Sequence, residues 1–335
     1  MTADDRCVHQ AIHPSVRPLL DPEYVEFHDQ YYQYLIPDDQ KIWDGSARVR
    51  AVSVPSTESV PVAVGSIRDI DLGNYNARVF TPEGVRPDSG WPVFLWFHGG
   101  GWTVGDVGAN NDLCTLVCQR AACVVVTVGY RLAPENPFPA AFDDCVDALR
   151  WVHSQEGVQD LGINPSNIGT GGISAGGQLA ASLSIKAATL DPPIALAFQL
   201  LIVPVIDNTA TASNVWQTRK NAPWLTPARM QWYRRMYLVN EEDAEKWEAS
   251  PNHAPKTLLA KSPKTWIAVA EQDLLSTEAL LFEKQLNGAW EEAGSKNDGL
   301  SVELGIYKGS THSILAMSGM FAEHLDFGGV SCSYF

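Results

Sequence analysis

From residue 93 onward the chain repeats one pattern, a short unbroken apolar run followed by a stretch with helical spacing. The apolar runs fall at 93–97, 123–128, 168–171, 196–203, 266–270 and 302–307. Helical stretches are expected at 110–121, 139–153, 175–188, from the end of the fifth run to about 293, and at 313–323. Strands apolar on both faces are covered by helices on both faces, and strands joined through helices run parallel. Right-handed crossovers then bring the carboxyl ends of the strands to one edge, where ligands bind. The expected fold is therefore α/β, a mostly parallel twisted sheet flanked by helices. Two earlier segments, 62–71 and 75–80, meet around Gly73 and Asn74 and read as a hairpin.

Two stretches depart from this pattern. Residues 1–60 carry Tyr24, Phe27, Tyr31, Tyr32, Tyr34 and Trp43, interrupted by prolines. They read as one or two short helices that pack on something else rather than forming a core of their own. Residues 207–255 carry Trp216, Trp224, Trp232, Tyr233, Tyr237 and Trp247 among several charges. That stretch is too long for a loop and lies between two core strands. It reads as a helical insertion over the strand edge, packed with the N-terminal segment as a cap. The expected division is an N-terminal cap segment at 1–60, a core at 61–206 and 256–335, and a cap insertion at 207–255.

Composition narrows the partners. Of the 335 residues, 45% are hydrophobic and 19% charged, enough apolar surface for a large core and too little charge for a disordered chain. A net charge of −15 repels phosphate backbones and anionic lipid heads, so nucleic acid and membrane surfaces are not expected as partners. No run reaches the length needed to span a bilayer, and residues 1–10 lack the apolar run of a secretory signal. The six cysteines are scattered: Cys114 and Cys118 lie four apart, but no second pair completes a zinc set. The expectation is a cytoplasmic protein with reduced thiols, no metal and no cofactor. A homodimer is left open.

Three motifs follow three of the strands. Gly172-Ile173-Ser174-Ala175-Gly176 stands between a short strand and an alanine-rich helix. Such a tight turn holds the serine in strained backbone angles with its hydroxyl exposed, and only glycines fit beside it. The amide of Ala175 then begins a helix and points toward a developing negative charge. His98-Gly99-Gly100-Gly101-Trp102 follows the run at 93–97, and its glycines let backbone amides approach a bound oxygen. It lacks the lysine spacing of a Walker loop and forms no G-x-G-x-x-G. Tyr130-Arg131-Leu132-Ala133-Pro134-Glu135 follows the run at 123–128.

Together with Phe138-Pro139-Ala140 and Leu201-Ile202-Val203-Pro204 followed by Asp207, these motifs closely resemble the hormone-sensitive-lipase-like family of α/β hydrolases over about residues 62–317. The resemblance implies an α/β-hydrolase fold with a helical cap. It implies oxyanion donors at the amides of Gly100, Gly101 and Ala175. It places an acid after the next-to-last strand, where Glu271-Gln272-Asp273 stands, and a base after the last, where Gly309-Ser310-Thr311-His312 stands. The residues agree. A serine hydroxyl needs a base within reach, and of eight histidines only His312 follows a terminal core strand on the ligand edge. Asp273 is placed to orient that imidazole, with Asp207, also after a core strand, the other acid. His98 reads as structural, and Asp143 and Asp144 as caps or braces of the 130–135 loop. The chain departs from the family at Ile173, where an acidic residue is usual, at Leu274 with Glu278, at Ser313-Ile314, and in a glycine-rich tail from 326. These changes suggest a specialised member.

The expected reaction is hydrolysis of a small, apolar carboxylic ester through an acyl-enzyme on Ser174, with no metal or organic cofactor. Trp102, Trp216 and Trp224 are expected to line an apolar substrate pocket. Alternatives on the same scaffold are acyl transfer to a metabolite or lactone opening, an amidase resembling the kynurenine formamidases, and a non-catalytic receptor resembling the gibberellin receptors.

Overall fold

A computed structural model describes residues 6–48, 55, 59–295 and 300–317 of the chain. Strands β1 (Ser66–Asp71) and β2 (Asn76–Thr81) form the expected hairpin, with Asp71 opposite Asn76. They are followed by β3 (Trp91–Phe97), β4 (Val124–Gly129), β5 (Ile163–Ile173), β6 (Phe198–Ile202), β7 (Lys264–Ala270) and β8 (Val302–Tyr307). The sheet order is β1-β2-β4-β3-β5-β6-β7-β8. β2 meets β4 antiparallel, and every neighbouring pair from β4 to β8 is parallel. The carboxyl ends of β3 to β8 therefore share one edge.

The helices are α1 (Pro22–Gln30), α2 (Asn111–Ala121), α3 (Ala140–His153), α4 (Gln155–Leu161), α5 (Ala175–Ala187), α6 (Pro227–Tyr237), α7 (Lys256–Leu259) and α8 (Ser276–Glu292). Alternation along β3 explains why the sheet is covered twice. Val93, Leu95 and Phe97 enter one apolar cluster, and Phe94 and Trp96 enter another. Each fully buried side chain of this kind stabilises the fold by about 1.5–3 kcal/mol. Helix α5 is buried along nearly its whole length, which its small residues allow. At the start of α6 the Thr226 hydroxyl accepts from the Arg229 amide at 3.2 Å, and Pro227 takes the first turn, where no donor is needed.

Three elements differ from expectation. β5 begins at Ile163, five residues before the apolar run, because Ile163 pairs with Trp91 across an irregularity in the register. Helix α4 had no apolar period strong enough to reveal it. Of the helix expected at 313–323, the described part, 313–317, is not helical. Residues 312–317 are turns, with the Met317 amide reaching the Ser313 carbonyl at 3.1 Å, and 318–323 lie outside the described residues. The glycine-rich tail and Cys332 also lie outside them.

The N-terminal segment and the 207–255 stretch meet over the strand edge. The rings of Tyr32 and Trp224 lie 4.4 Å apart, and those of Trp43 and Trp232 lie 5.8 Å apart. Cys114, Cys118, Cys123 and Cys145 are buried free thiols and Cys7 is an exposed one. Burial pushes the Cys118 thiol up to about 12, so it stays protonated and unreactive. Among the described residues no helix is long and apolar enough to cross a membrane.

Candidate functional site

Ser174 ends the turn between β5 and α5 with φ 57° and ψ −118°, outside the regions that L-residues favour. Its neighbours explain how that backbone is held. A β-carbon on Gly172 would overlap the Gly176 carbonyl, and one on Gly176 would overlap the carbonyls of Phe97 and His98. The Ser174 amide donates to the Ile202 carbonyl at 2.9 Å, pinning the turn to β6. Close packing of backbone on backbone thus fixes the serine at the carboxyl edge of the sheet.

The Ser174 Oγ lies 2.8 Å from His312 Nε2, and His312 Nδ1 lies 2.9 Å from Asp273 Oδ2. An ionised carboxylate only accepts, so Nδ1 carries the proton and Nε2 is left as acceptor for the serine hydroxyl. Asp273 is 1% exposed and Ser174 9%. The loops bearing the acid and the imidazole are stitched together. The Gln272 amide donates to the Ser310 carbonyl at 2.8 Å, and the Gly309 amide donates to the Glu271 carboxylate at 3.0 Å. That amide holds the Glu271 carboxyl below its ordinary range. The N-terminal segment joins them through the Asp21 amide, 3.1 Å from the Gly309 carbonyl.

The glycine loop after β3 lies beside the serine. Gly100 and Gly101 have φ +107° and +57°. The ring of Tyr233, from α6, fills the place where a side chain on Gly101 would go. His98 braces the loop: its Nδ1 donates to the Gly99 carbonyl at 2.7 Å, and its ring stacks 4.2 Å from that of Tyr130. Burial lowers the imidazole to about 4, so it stays neutral, in keeping with a structural histidine. The Tyr130 hydroxyl donates to the His98 carbonyl at 2.8 Å. Asp144 grips Arg131, accepting from its amide at 2.8 Å and from its guanidinium at 2.7 Å. It braces the 130–135 loop as expected.

A cavity of about 940 Å³ opens over this edge. Ser174, His312, Gly100, Gly101, Met230 and Tyr233 are among its walls. Ala175 is fully buried as the first residue of α5. Of the three tryptophans expected at the substrate, only Trp224 lines the cavity. Trp102 is buried against Tyr237, with ring centroids 4.3 Å apart, and donates to Gln178 at 3.0 Å. Trp216 is buried and donates to Glu278 at 2.9 Å. Each of these two indoles finds its polar partner in the interior, so neither turns toward the cavity. Asp207 does not reach His312 either: its Oδ1 accepts from the amide and hydroxyl of Thr209.

Sequence reasoning passed over the supports of this arrangement. Glu278 is buried and accepts from the amides of Ile206 and Asp207, each at 2.6 Å. Burial pushes its carboxyl up to about 7. Arg234, from α6, donates to the carbonyls of Asp207 and Ala210 at 2.6 Å, and burial lowers it to about 10. Arg48 donates to the carbonyls of Thr103 and Ala133, both at 2.9 Å. A charged residue in a helix or a polar stretch carries no sign that it will be held on backbone groups, whether buried as Glu278 is, half-buried as Arg234 is or near the surface as Arg48 is. Among the described residues no cluster of His, Cys, Asp and Glu could hold a metal ion.

Comparison with known proteins agrees with this architecture. Residues 94–316 match the family Abhydrolase_3, described as alpha/beta hydrolase fold. An AB hydrolase superfamily protein of Schizosaccharomyces pombe is 40% identical over 321 residues, covering 90% of this chain and 89% of its own. The ethyl acetate hydrolase of Pseudomonas putida is 29% identical, with 73% of each chain covered. The solved structure of a thermostable esterase from Pseudomonas putida superposes with a TM-score of 0.78 over 95% of both chains; at 24% identity this likeness bears on the fold alone. The chain belongs to the α/β-hydrolase family, in its hormone-sensitive-lipase-like branch of carboxylesterases.

Proposed function

We infer that the chain hydrolyses a small carboxylic ester by acyl transfer through Ser174, with His312 as base and Asp273 orienting it. The enzyme class is carboxylic ester hydrolase. The observation that carries the mechanistic reading is the continuous hydrogen-bonded row from Ser174 Oγ through His312 to Asp273, at 2.8 and 2.9 Å, opening on the cavity. His312 takes the hydroxyl proton as Ser174 attacks the ester carbonyl. The amides of Gly100, Gly101 and Ala175 receive the negative charge on the carbonyl oxygen. The C–O bond then breaks, and the alcohol leaves with the proton from His312. Water, deprotonated by the same imidazole, releases the acid.

Residues 1–60 and 207–255 act as the cap of this site, and 61–206 with 256–335 as its core. The cap reading is supported by the Tyr32–Trp224 and Trp43–Trp232 contacts between the two segments, of which Trp224 lines the cavity. Trp224, Leu225, Met230 and Tyr233 give the walls an apolar component suited to a small apolar ester. With its net charge of −15, we read the protein as acting in the cytoplasm on a small molecule rather than on nucleic acid or a membrane.

Replacing Ser174 by Ala tests the reading. Turnover of p-nitrophenyl butyrate is expected to fall by about 10³-fold or more. A fluorophosphonate label that marks the native protein is expected to leave the variant unmarked. Near-native turnover in Ser174→Ala overturns the assignment.

A further inference from the structure

Behind the cavity that holds Ser174 lies a second one, of about 340 Å³, between the N-terminal segment and residues 220–229. Its walls include Gln10, His28, Pro37, Lys220, Asn221 and Thr226. Among the described residues, two face both cavities, Trp224 and Arg229. They form the wall between them.

That wall is held against a backbone cost. Trp224 has φ +67°, a left-handed conformation that a bulky side chain adopts only when its surroundings impose it. Three contacts impose it here. Its ring lies 4.4 Å from that of Tyr32. The Arg229 guanidinium lies 4.9 Å from the indole centroid. The Trp224 carbonyl accepts from Arg229 Nη1 at 2.7 Å. Arg229 is itself 5% exposed and has Asp38 only 3.8 Å away, so it is a fixed pin rather than a mobile surface charge. Glycine would adopt this backbone without strain, and it would leave no indole between the cavities.

We propose that Trp224, pinned by Arg229, is a partition that sets the longest ester arm the enzyme accepts, acyl or alkyl. The proposal rests on the ester-hydrolase reading above. With the indole in place, an arm growing from the carbonyl at Ser174 stops at Trp224. With it removed, the arm passes into a chamber whose Gln10, Lys220, Asn221 and Thr226 suit a chain with a polar end rather than a bare alkyl tail. The partition therefore discriminates by length first and by terminal polarity second.

The test compares native enzyme, Trp224→Gly and Trp224→Phe on two series. One is p-nitrophenyl esters from acetate to decanoate, with the monoester of a ten-carbon dicarboxylic acid. The other is alkyl acetates from ethyl to decyl. In at least one series, Trp224→Gly is expected to raise the ratio of long-arm to short-arm kcat/KM by about tenfold or more. Trp224→Phe, which keeps an aromatic ring beside Tyr32, falls between the two and carries the readout if the glycine variant does not fold. The dicarboxylic monoester is expected to gain more than the decanoate. Native enzyme that hydrolyses the short esters, with length ratios unchanged within twofold in both variants and both series, overturns the partition and leaves the ester-hydrolase reading intact. Native enzyme that hydrolyses no ester in either series overturns both.

Discussion

Gly176 sits against the carbonyl oxygen of Phe97 with no room for a methyl group between them. The contact joins the first turn of α5 to the end of β3 and sets the depth at which Ser174 emerges. Because the opposing atom is backbone, no rotamer change can relieve an overlap. Gly176→Ala is expected to lower stability by about 3 kcal/mol and to remove activity with it. Thermal unfolding checks this. Ser174→Ala, which changes no packing at the turn, is expected to melt with the native protein. A native melting temperature in Gly176→Ala shows that the turn is not held by this contact.

The two acids that the sequence offered behave differently in the structure. Asp273 is 2.9 Å from His312, while Asp207 is turned to Thr209. Asp273→Asn removes the acceptor that fixes the imidazole tautomer, and kcat is expected to fall by about 10⁴. Asp207→Asn removes a charge but keeps an amide oxygen that can still accept from the Thr209 amide and hydroxyl, and it is expected to keep kcat within about tenfold. Steady-state kinetics of the two variants side by side decide it. Equal losses would move the acid away from Asp273.

Much of the site could be read from the chain because its constraints are local. The turn at Ser174 needs glycines at 172 and 176, and no other residue type satisfies that geometry, so the motif betrays the structure. The loop at Gly100 and Gly101 is legible for the same reason, with a positive φ at both. What the chain did not reveal is relational. Trp102, Trp216 and Trp224 are alike as letters, yet Gln178 and Glu278 capture the first two inside the core, and only the third reaches the cavity. Their fates depend on partners 62 and 76 residues away, beyond any periodic pattern. Glu278 was visible as a departure from the family pattern, but its place in the first turn of a helix, usual for an exposed carboxylate, gave no sign of burial.

That buried carboxylate gives the fold a pH dependence whose direction can be stated. Glu278 receives two backbone amides and the Trp216 indole from the turn at 206–216, but burial outweighs them and raises its carboxyl from 4.5 to about 7. A raised folded-state value means that the folded protein holds the proton more tightly than the unfolded chain. The resulting stabilisation is complete below about pH 4.5 and is lost as pH climbs through about 7. Glu278→Gln removes the titration while leaving the site neutral. The stability of the native protein relative to this variant is therefore expected to fall between about pH 5 and about pH 8, by roughly 3 kcal/mol. The buried His98 titrates the other way, its folded value of about 4 favouring the fold at higher pH, but it is present in both proteins and cancels from the difference. Urea unfolding of the pair at several pH values measures this. A difference that stays flat across the range, or grows with pH, would show that Glu278 ionises as a solvated carboxylate does and that the turn it holds is open to water.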